Sequence, residues 1–263
     1  MTPTGPSPDT PRLYSDLAWL WPLWGDPAGE YAHFARFVAE RIRHHARRPL
    51  ETLLDVACGG GKNLFTLQRS FRCAGLDLSP AMLALARNLN PECEFVQGDM
   101  RSFSLDRTFD AILIDDGVSH LTSRPDLAAA FQTAFRHLAP GGVMVVVADS
   151  TAETFRQNQT EATPAYPGSC PPGLDVTFIE NRYDPDPADE RFESTLIYLI
   201  REHGRRRIET DRFDLGLFPH SFWRQTLAGS GFDVVEESYR QDDVEYPFFV
   251  CRKPTQRNRG APP

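Results

Sequence analysis

Apolar residues along this chain fall in short runs separated by stretches of helical spacing, until about residue 150, where the pattern changes. Residues 53–56 (LLDV), 72–78 (RCAGLDL), 93–97 (CEFVQ), Phe109–Asp115 (FDAILID) and 143–148 (VMVVVA) read as strands. The valine-rich last run has the composition of a buried strand. Between these runs, residues 62–70 form an amphipathic helix and residues 125–138 another. Ser79-Pro80 supplies the N-cap and the first-position proline of a third. Ahead of the first strand, residues 26–47 place Phe34, Phe37, Val38 and Ile42 on one helical face. Strand, helix and strand in this order predict an α/β domain. After residue 150 a polar loop (163–173, TPAYPGSCPPG) leads into three strand-like runs: Leu174–Tyr183, Arg191–Glu202 and 205–215. The last two are joined by the hairpin signal His203-Gly204, and Arg205, Arg207, Glu209 and Asp211 mark one solvated face of an antiparallel sheet. Pro219 then opens a helix reaching Gly229, residues 232–238 form a sixth strand, and residues 247–252 end a seventh.

The stretch at residues 53–63, LLDVACGGGKN, carries the chemistry. A strand runs into Gly59, Gly60 and Gly61, which let the backbone turn sharply and approach a ligand, and the next helix aims its free N–H groups back at that ligand. Three ligand classes use such a turn. A phosphate loop needs Ser or Thr after Gly-Lys, but Asn63 follows Lys62 and Val56 stands at the first glycine of that pattern. A dinucleotide fingerprint fits Gly59 and Gly61 but puts Leu64 at its third glycine. The third pattern has an acid four residues before the first glycine, and Asp55 supplies it.

On these residues the chain resembles the class I S-adenosylmethionine-dependent methyltransferases, with DVACGGG standing for D-x-G-C-G-x-G and Ala57 at the usual first glycine. Alanine there is expected to leave only slightly less backbone room. The resemblance covers about residues 13–253 and is strongest over 53–142. It implies a Rossmann-like seven-stranded class I methyltransferase fold with an antiparallel β insertion, and S-adenosyl-L-methionine as cofactor. By the same resemblance Asp55, Ala57, Gly59, Gly61 and Asn63 belong to the cofactor turn. Asp77, 22 residues after Asp55, grips the ribose hydroxyls beside Leu78. Met82 lies against the adenine, and Asp99 with Met100 receives its amino group. Met82 also suits plain core packing. Tyr14, within the aromatic stretch 13–27 (LYSDLAWLWPLWGDP), resembles the short lid segment of small-molecule members, where aromatic faces attract a sulfonium. A short helix packed on the domain is the alternative for that stretch, and Trp24 is its candidate substrate contact.

The transferred methyl should lie beyond the end of the fourth strand, facing Asp115, Asp116 and His120. Enzymes that methylate nucleobase amines usually show Asn/Asp-Pro-Pro-aromatic here, whereas this chain has Asp-Asp-Gly-Val. With pKa near neutrality, His120 is the general-base candidate, or else a residue that only orients the acceptor. Asp116 is the second catalytic candidate and Asp115 a cofactor contact. The β-rich insertion resembles that of glycine and aminosugar N-methyltransferases, where it shapes the substrate pocket or a homodimer contact. Nitrogen is therefore favoured over oxygen as the acceptor atom.

The expected organisation is a disordered leader (1–12), a cofactor domain with its lid segment (13–149), the insertion (150–216), the C-terminal part of the domain (217–253) and a disordered tail (254–263). Composition narrows the readings that remain. A formal net charge of -8 disfavours non-specific nucleic-acid binding. Five scattered cysteines without a C-x-x-C pair read as reduced thiols of a cytoplasmic protein, not metal ligands. No apolar run is long enough to span a bilayer, and the N-terminus lacks the marks of a signal peptide. The expected partner is a small-molecule methyl acceptor, without nucleic acid or membrane. A non-catalytic cofactor-binding scaffold and a nicotinamide-dependent oxidoreductase are the other classes; the second lacks an evident Tyr-x-x-x-Lys pair.

Overall fold

The computed structural model describes residues 11–241 and 244–255. Two 3-10 helices, Arg12–Tyr14 and Ala18–Leu23, precede helix α1 (Glu30–His45). There follow β1 (Thr52–Val56), α2 (Lys62–Leu67), β2 (Arg72–Asp77), α3 (Pro80–Leu89), β3 (Glu94–Gln97), β4 (Phe109–Asp115), α4 (Arg124–His137) and β5 (Leu138–Val147). Strands β6 (Gln159–Pro164), β7 (Leu174–Tyr183), β8 (Arg191–Glu202) and β9 (Arg205–Gly216) come next, then α5 (His220–Gly229), β10 (Asp233–Gln241) and β11 (Val244–Arg252). The expected leader lies almost wholly in residues 1–10, and most of the expected tail in 256–263, outside the described residues.

A seven-stranded sheet has the order β10-β11-β5-β4-β1-β2-β3, with β1 to β5 parallel and β11 antiparallel to both neighbours. Its inner strands are mostly apolar because both faces are covered. Leu53, Ala111, Leu113, Val143 and Val145 share a core with Phe34, Val38 and Ile42 of α1. The alternate residues Leu54, Ile112, Ile114, Met144 and Val146 join Leu127 and Phe131 of α4 and Trp223 of α5 in a second core. The strand period of two thus divides one apolar run between two helical layers. At α3, Ser79 Oγ accepts from Met82 N–H at 3.1 Å with Pro80 in the first turn, as the sequence predicts. Helix α2 stops at Leu67, earlier than the expected residue 70.

Strands β6-β7-β8-β9 form a separate antiparallel sheet. The β8–β9 turn sits on His203 and Gly204, both at positive φ (47° and 81°), as a two-residue hairpin requires. Alternation in β8 buries Phe192, Leu196, Tyr198 and Ile200. These pack with Leu13, Leu17, Leu20 and Leu23, so the N-terminal segment rests on the second sheet. Strand β6 is absent from the sequence reading, which put a polar loop from Thr163. Its residues QTEATP are mostly exposed and carry no apolar alternation, yet an edge strand needs only backbone pairing with β7.

Candidate functional site

A cavity of about 1710 Å³ opens at the C-terminal ends of β1, β2 and β4, where open α/β sheets hold ligands. At its floor the chain leaves β1 through a turn of positive φ at Ala57 (59°), Gly59 (52°) and Gly61 (77°). Ala57 replaces the expected glycine at a φ that an alanine adopts only at a cost of about 1–2 kcal/mol. Its methyl faces Gly117, where a Cβ would stand 2.5 Å from that of Ala57. Asp77 closes the turn: Gly59 N–H donates to Oδ2 and Ser79 N–H to Oδ1, both at 2.8 Å. Burial raises the Asp77 carboxyl, against the lowering effect of these N–H groups. Leu78 lines the cavity with 65% of its surface exposed, and Asp99 and Met100 line it nearby. The Asp99 carboxylate accepts from the Arg101 N–H at 2.9 Å and pairs with its guanidinium, which holds its pKa down.

At the end of β4, Asp115 and Asp116 both line the cavity. Asp115 Oδ2 accepts from Asn63 Nδ2 at 2.9 Å, and burial pushes this carboxyl up to about 6. Asp116 sits at φ 44° and is exposed to the cavity. Its carboxyl is raised by burial and by the charges of Asp149 and Asp115, against Arg182. A smaller cavity of about 180 Å³ shares Tyr31, Asp115 and Asp116 with the first and is also lined by Glu30, Asp149, Tyr239 and Tyr246. The Tyr14 hydroxyl and His120 Nε2 are hydrogen-bonded at 2.9 Å, and Phe213 stacks on Tyr14 at 5.5 Å. Burial among these rings pushes the His120 imidazole down to about 4. That lies below the near-neutral value expected of a base: burial favours the neutral imidazole, and among the described residues no carboxylate forms an ion pair with it.

Four other sequence-predicted residues lie elsewhere. Met82 is fully buried and does not line the cavity, the core alternative for that residue. Trp24 is likewise not a lining residue; its ring stacks on Phe178 of the second sheet at 4.9 Å. Asp55 is buried beneath the turn, its Oδ2 without a partner and its carboxyl raised by burial and by Asp115 and Asp77. Gly61 underlies the turn as well, where a Cβ would meet Asn90 Nδ2 at 2.6 Å. Ala57, Gly59, Asn63, Asp77, Leu78, Asp99, Met100, Tyr14 and the β4 acids are brought to one cavity.

The sequence reading missed Trp21, Lys62 and Phe213. A Cβ at Gly60 would overlap the Trp21 indole, and one at Gly59 would lie 3.2 Å from it. The glycines therefore make room for this indole as well as for a ligand. Trp21 stood in a noticed aromatic stretch, whereas nothing in the sequence signalled Phe213, which the second sheet delivers from β9.

The family described as "Methyltransferase domain" matches residues 53–142. A dTDP-3-amino-3,6-dideoxy-alpha-D-glucopyranose N,N-dimethyltransferase from Streptomyces fradiae is 40% identical over 134 residues, 50% of this chain and 52% of that protein. The chain spans about half the length of the curated relatives it matches. Over most of its length it is similar to the crystal structure of DesVI from Streptomyces venezuelae (TM-score 0.76, 28% identity, 90% of this chain and 96% of that one). It is also similar to S-adenosylmethionine-bound CalS10 from Micromonospora echinaspora, an amino pentose methyltransferase involved in calicheamicin biosynthesis (TM-score 0.74, 27% identity, 90% and 94%). The residues present suit such a cofactor. A carboxylate stands at the β2 end, and Asn63, a buried lining residue, has an amide oxygen without a partner.

Proposed function

Because the chain belongs to the class I S-adenosylmethionine-dependent methyltransferases, in the aminosugar N-methyltransferase branch, we propose that it methylates the amino group of a small sugar-like acceptor, in the cytoplasm. One observation carries the reading: a single cavity is lined both by the Asp77–Gly59 turn and by Asp115, Asp116, Tyr14 and His120. When bound, S-adenosylmethionine supplies an electrophilic methyl on a sulfonium. Asp77 would accept hydrogen bonds from the ribose diol, Leu78 and Met100 would lie by the adenine, and Asp99 would receive the adenine amino group.

An acceptor amine is protonated at neutral pH and attacks only after losing that proton. Asp116, whose carboxyl stands above its usual range, would take it, leaving the nitrogen lone pair free for the methyl that the donor would supply as its carbon–sulfur bond breaks. His120, neutral and fixed by the Tyr14 hydroxyl, orients the acceptor. Alignment of this kind supplies up to about 7–11 kcal/mol of a two-substrate barrier. Five unpaired cysteines agree with a reducing compartment, and no helix among the described residues is long and apolar enough to cross a membrane.

The test incubates the full chain with S-adenosylmethionine and a panel of nucleotide-linked amino and hydroxy sugars, read by mass spectrometry. The expected result is one or two added methyl groups on an amino sugar. Methyl transfer to hydroxy sugars alone would overturn the nitrogen assignment. Binding of S-adenosylhomocysteine without turnover on any acceptor would favour a scaffold.

A further inference from the structure

Lys62, the first residue of α2, is only 4% exposed, yet it lines the donor cavity. Its ammonium lies 4.9 Å from the ring centroids of both Trp21 and Tyr31 and donates to the Trp24 carbonyl. Among the described residues no carboxylate reaches it within 4.0 Å, and Glu30 acts on it only at longer range. Two aromatic faces and one carbonyl are weak compensation for taking an ammonium out of water. Burial accordingly brings its pKa down to about 7.

The next residue shows the opposite deficit. Asn63 is 8% exposed; its Nδ2 is given to Asp115 at 2.9 Å, while Oδ1 accepts from nothing. Such a buried, unpaired amide oxygen costs about 1–3 kcal/mol. Adjacent residues of one cavity wall therefore present a cation that lacks an anion and an oxygen that lacks a donor, the latter beside a buried carboxylate. The chemical group that answers both is an α-amino acid zwitterion.

We propose that Lys62, Asn63 and Asp115 form a zwitterion subsite for the amino-acid end of the methyl donor, with Lys62 on its carboxylate and Asn63 Oδ1 with Asp115 on its ammonium. The proposal rests on the cofactor reading above and assigns the donor's tail to specific side chains. It also accounts for a lysine at this turn, where a phosphate-loop role fails for want of the following Ser or Thr. Here the lysine faces a carboxylate instead.

Calorimetry on the full chain tests it with two probes, S-adenosylhomocysteine and its decarboxylated analogue, which keeps the ammonium. Wild-type protein should prefer the carboxylate-bearing probe by about tenfold or more, the scale of a charge-assisted hydrogen bond. Lys62→Met, which keeps length and apolar contacts, should lose that preference while binding the decarboxylated probe within about twofold of wild type. Lys62→Arg should restore part of the preference, and thermal unfolding of each variant shows that the fold is intact. Equal weakening of both probes in Lys62→Met would overturn the proposal, since Lys62 would then only brace the turn and Trp24. An unchanged preference would overturn it too. Wild-type protein that binds neither probe would remove the cofactor reading beneath it.

Discussion

The two sheets build their shares of the cavity in different ways. The seven-stranded sheet does it with backbone: the Gly59 and Ser79 N–H groups, 18 and 2 positions from Asp77, pin its carboxylate between them. The second sheet does it with side chains brought from far away. Phe213 of β9 stacks on Tyr14 of the N-terminal segment, which in turn holds His120 beyond β4. Arg182 of β7 reaches Asp149, after β5, at 3.3 Å. On the proposed reading, the donor end is therefore local and set by strand geometry. The acceptor end depends on the second sheet staying docked to the segment that carries Leu13, Leu17, Leu20 and Leu23.

The largest effect expected is on that docking. Leu196→Ala opens a cavity at a fully buried β8 position and should cost about 2–5 kcal/mol in denaturant unfolding, with turnover falling more than donor affinity. Donor affinity falling as much as turnover would show that the two ends are not separable in this way. Removing residues 174–215 goes further, because it bares the N-terminal segment and so disturbs Tyr14 and Trp21, both lining the donor cavity. Asp77→Ala comes next. It removes a carboxylate that holds the turn, and S-adenosylhomocysteine affinity should drop by about 1.5–3 kcal/mol in calorimetry. Unchanged affinity would take Asp77 out of the cofactor site. Ala57→Gly should change stability by no more than about 1 kcal/mol, because relief at φ 59° is opposed by the greater freedom of glycine in the unfolded chain. A Tm change several times larger would mean that the methyl contact with Gly117 decides this position.

pH gives a signal of another kind, in which two groups oppose each other. His120 is held near 4, below its ordinary 6.5, so between these values the unfolded chain binds a proton that the folded chain refuses. Its contribution to stability therefore grows as pH rises through that window and is flat above it. Asp115, held up at about 6, works in the opposite sense between 3.8 and 6. His120→Ala should accordingly lose less stability than wild type on acidification from about pH 7 to about pH 5. A rate rise across the neutral range should survive in that variant, because it belongs to the acceptor amine. Loss of the rise would restore His120 as the base.

Much of the seven-stranded sheet was legible because a strand buried on both faces writes itself as an apolar run ended by a turn. Phe109–Asp115 is such a run, and its bounds agree with β4. Strands β7 and β8 were equally plain from alternation and turn signals. Strand β6 was not, since an exposed edge strand needs no apolar residue. At the site, chain position located the cavity but not side-chain direction. Met82 and Trp24 lie close in sequence to lining residues, yet Met82 turns into the core and Trp24 turns onto Phe178. Nothing in the sequence marks Lys62 as a cavity residue, because it is the arrival of Trp21 and Tyr31 from elsewhere in the chain that encloses its ammonium. The His120 environment was hidden for the same reason: Tyr14 is 106 residues away and Phe213 comes from the second sheet.

The central claim is that one cavity has a donor end and an acceptor end, with Asp116 belonging to the second. Asp116→Asn tests it most directly, with S-adenosylhomocysteine affinity by calorimetry and turnover on the methylated amine measured on the same protein. The account predicts turnover lower by about a hundredfold or more, the range of a lost general base. Donor affinity should stay within about twofold of wild type, because Asp77 and the Gly59 turn are untouched. Parallel loss of both, or wild-type turnover, would contradict it.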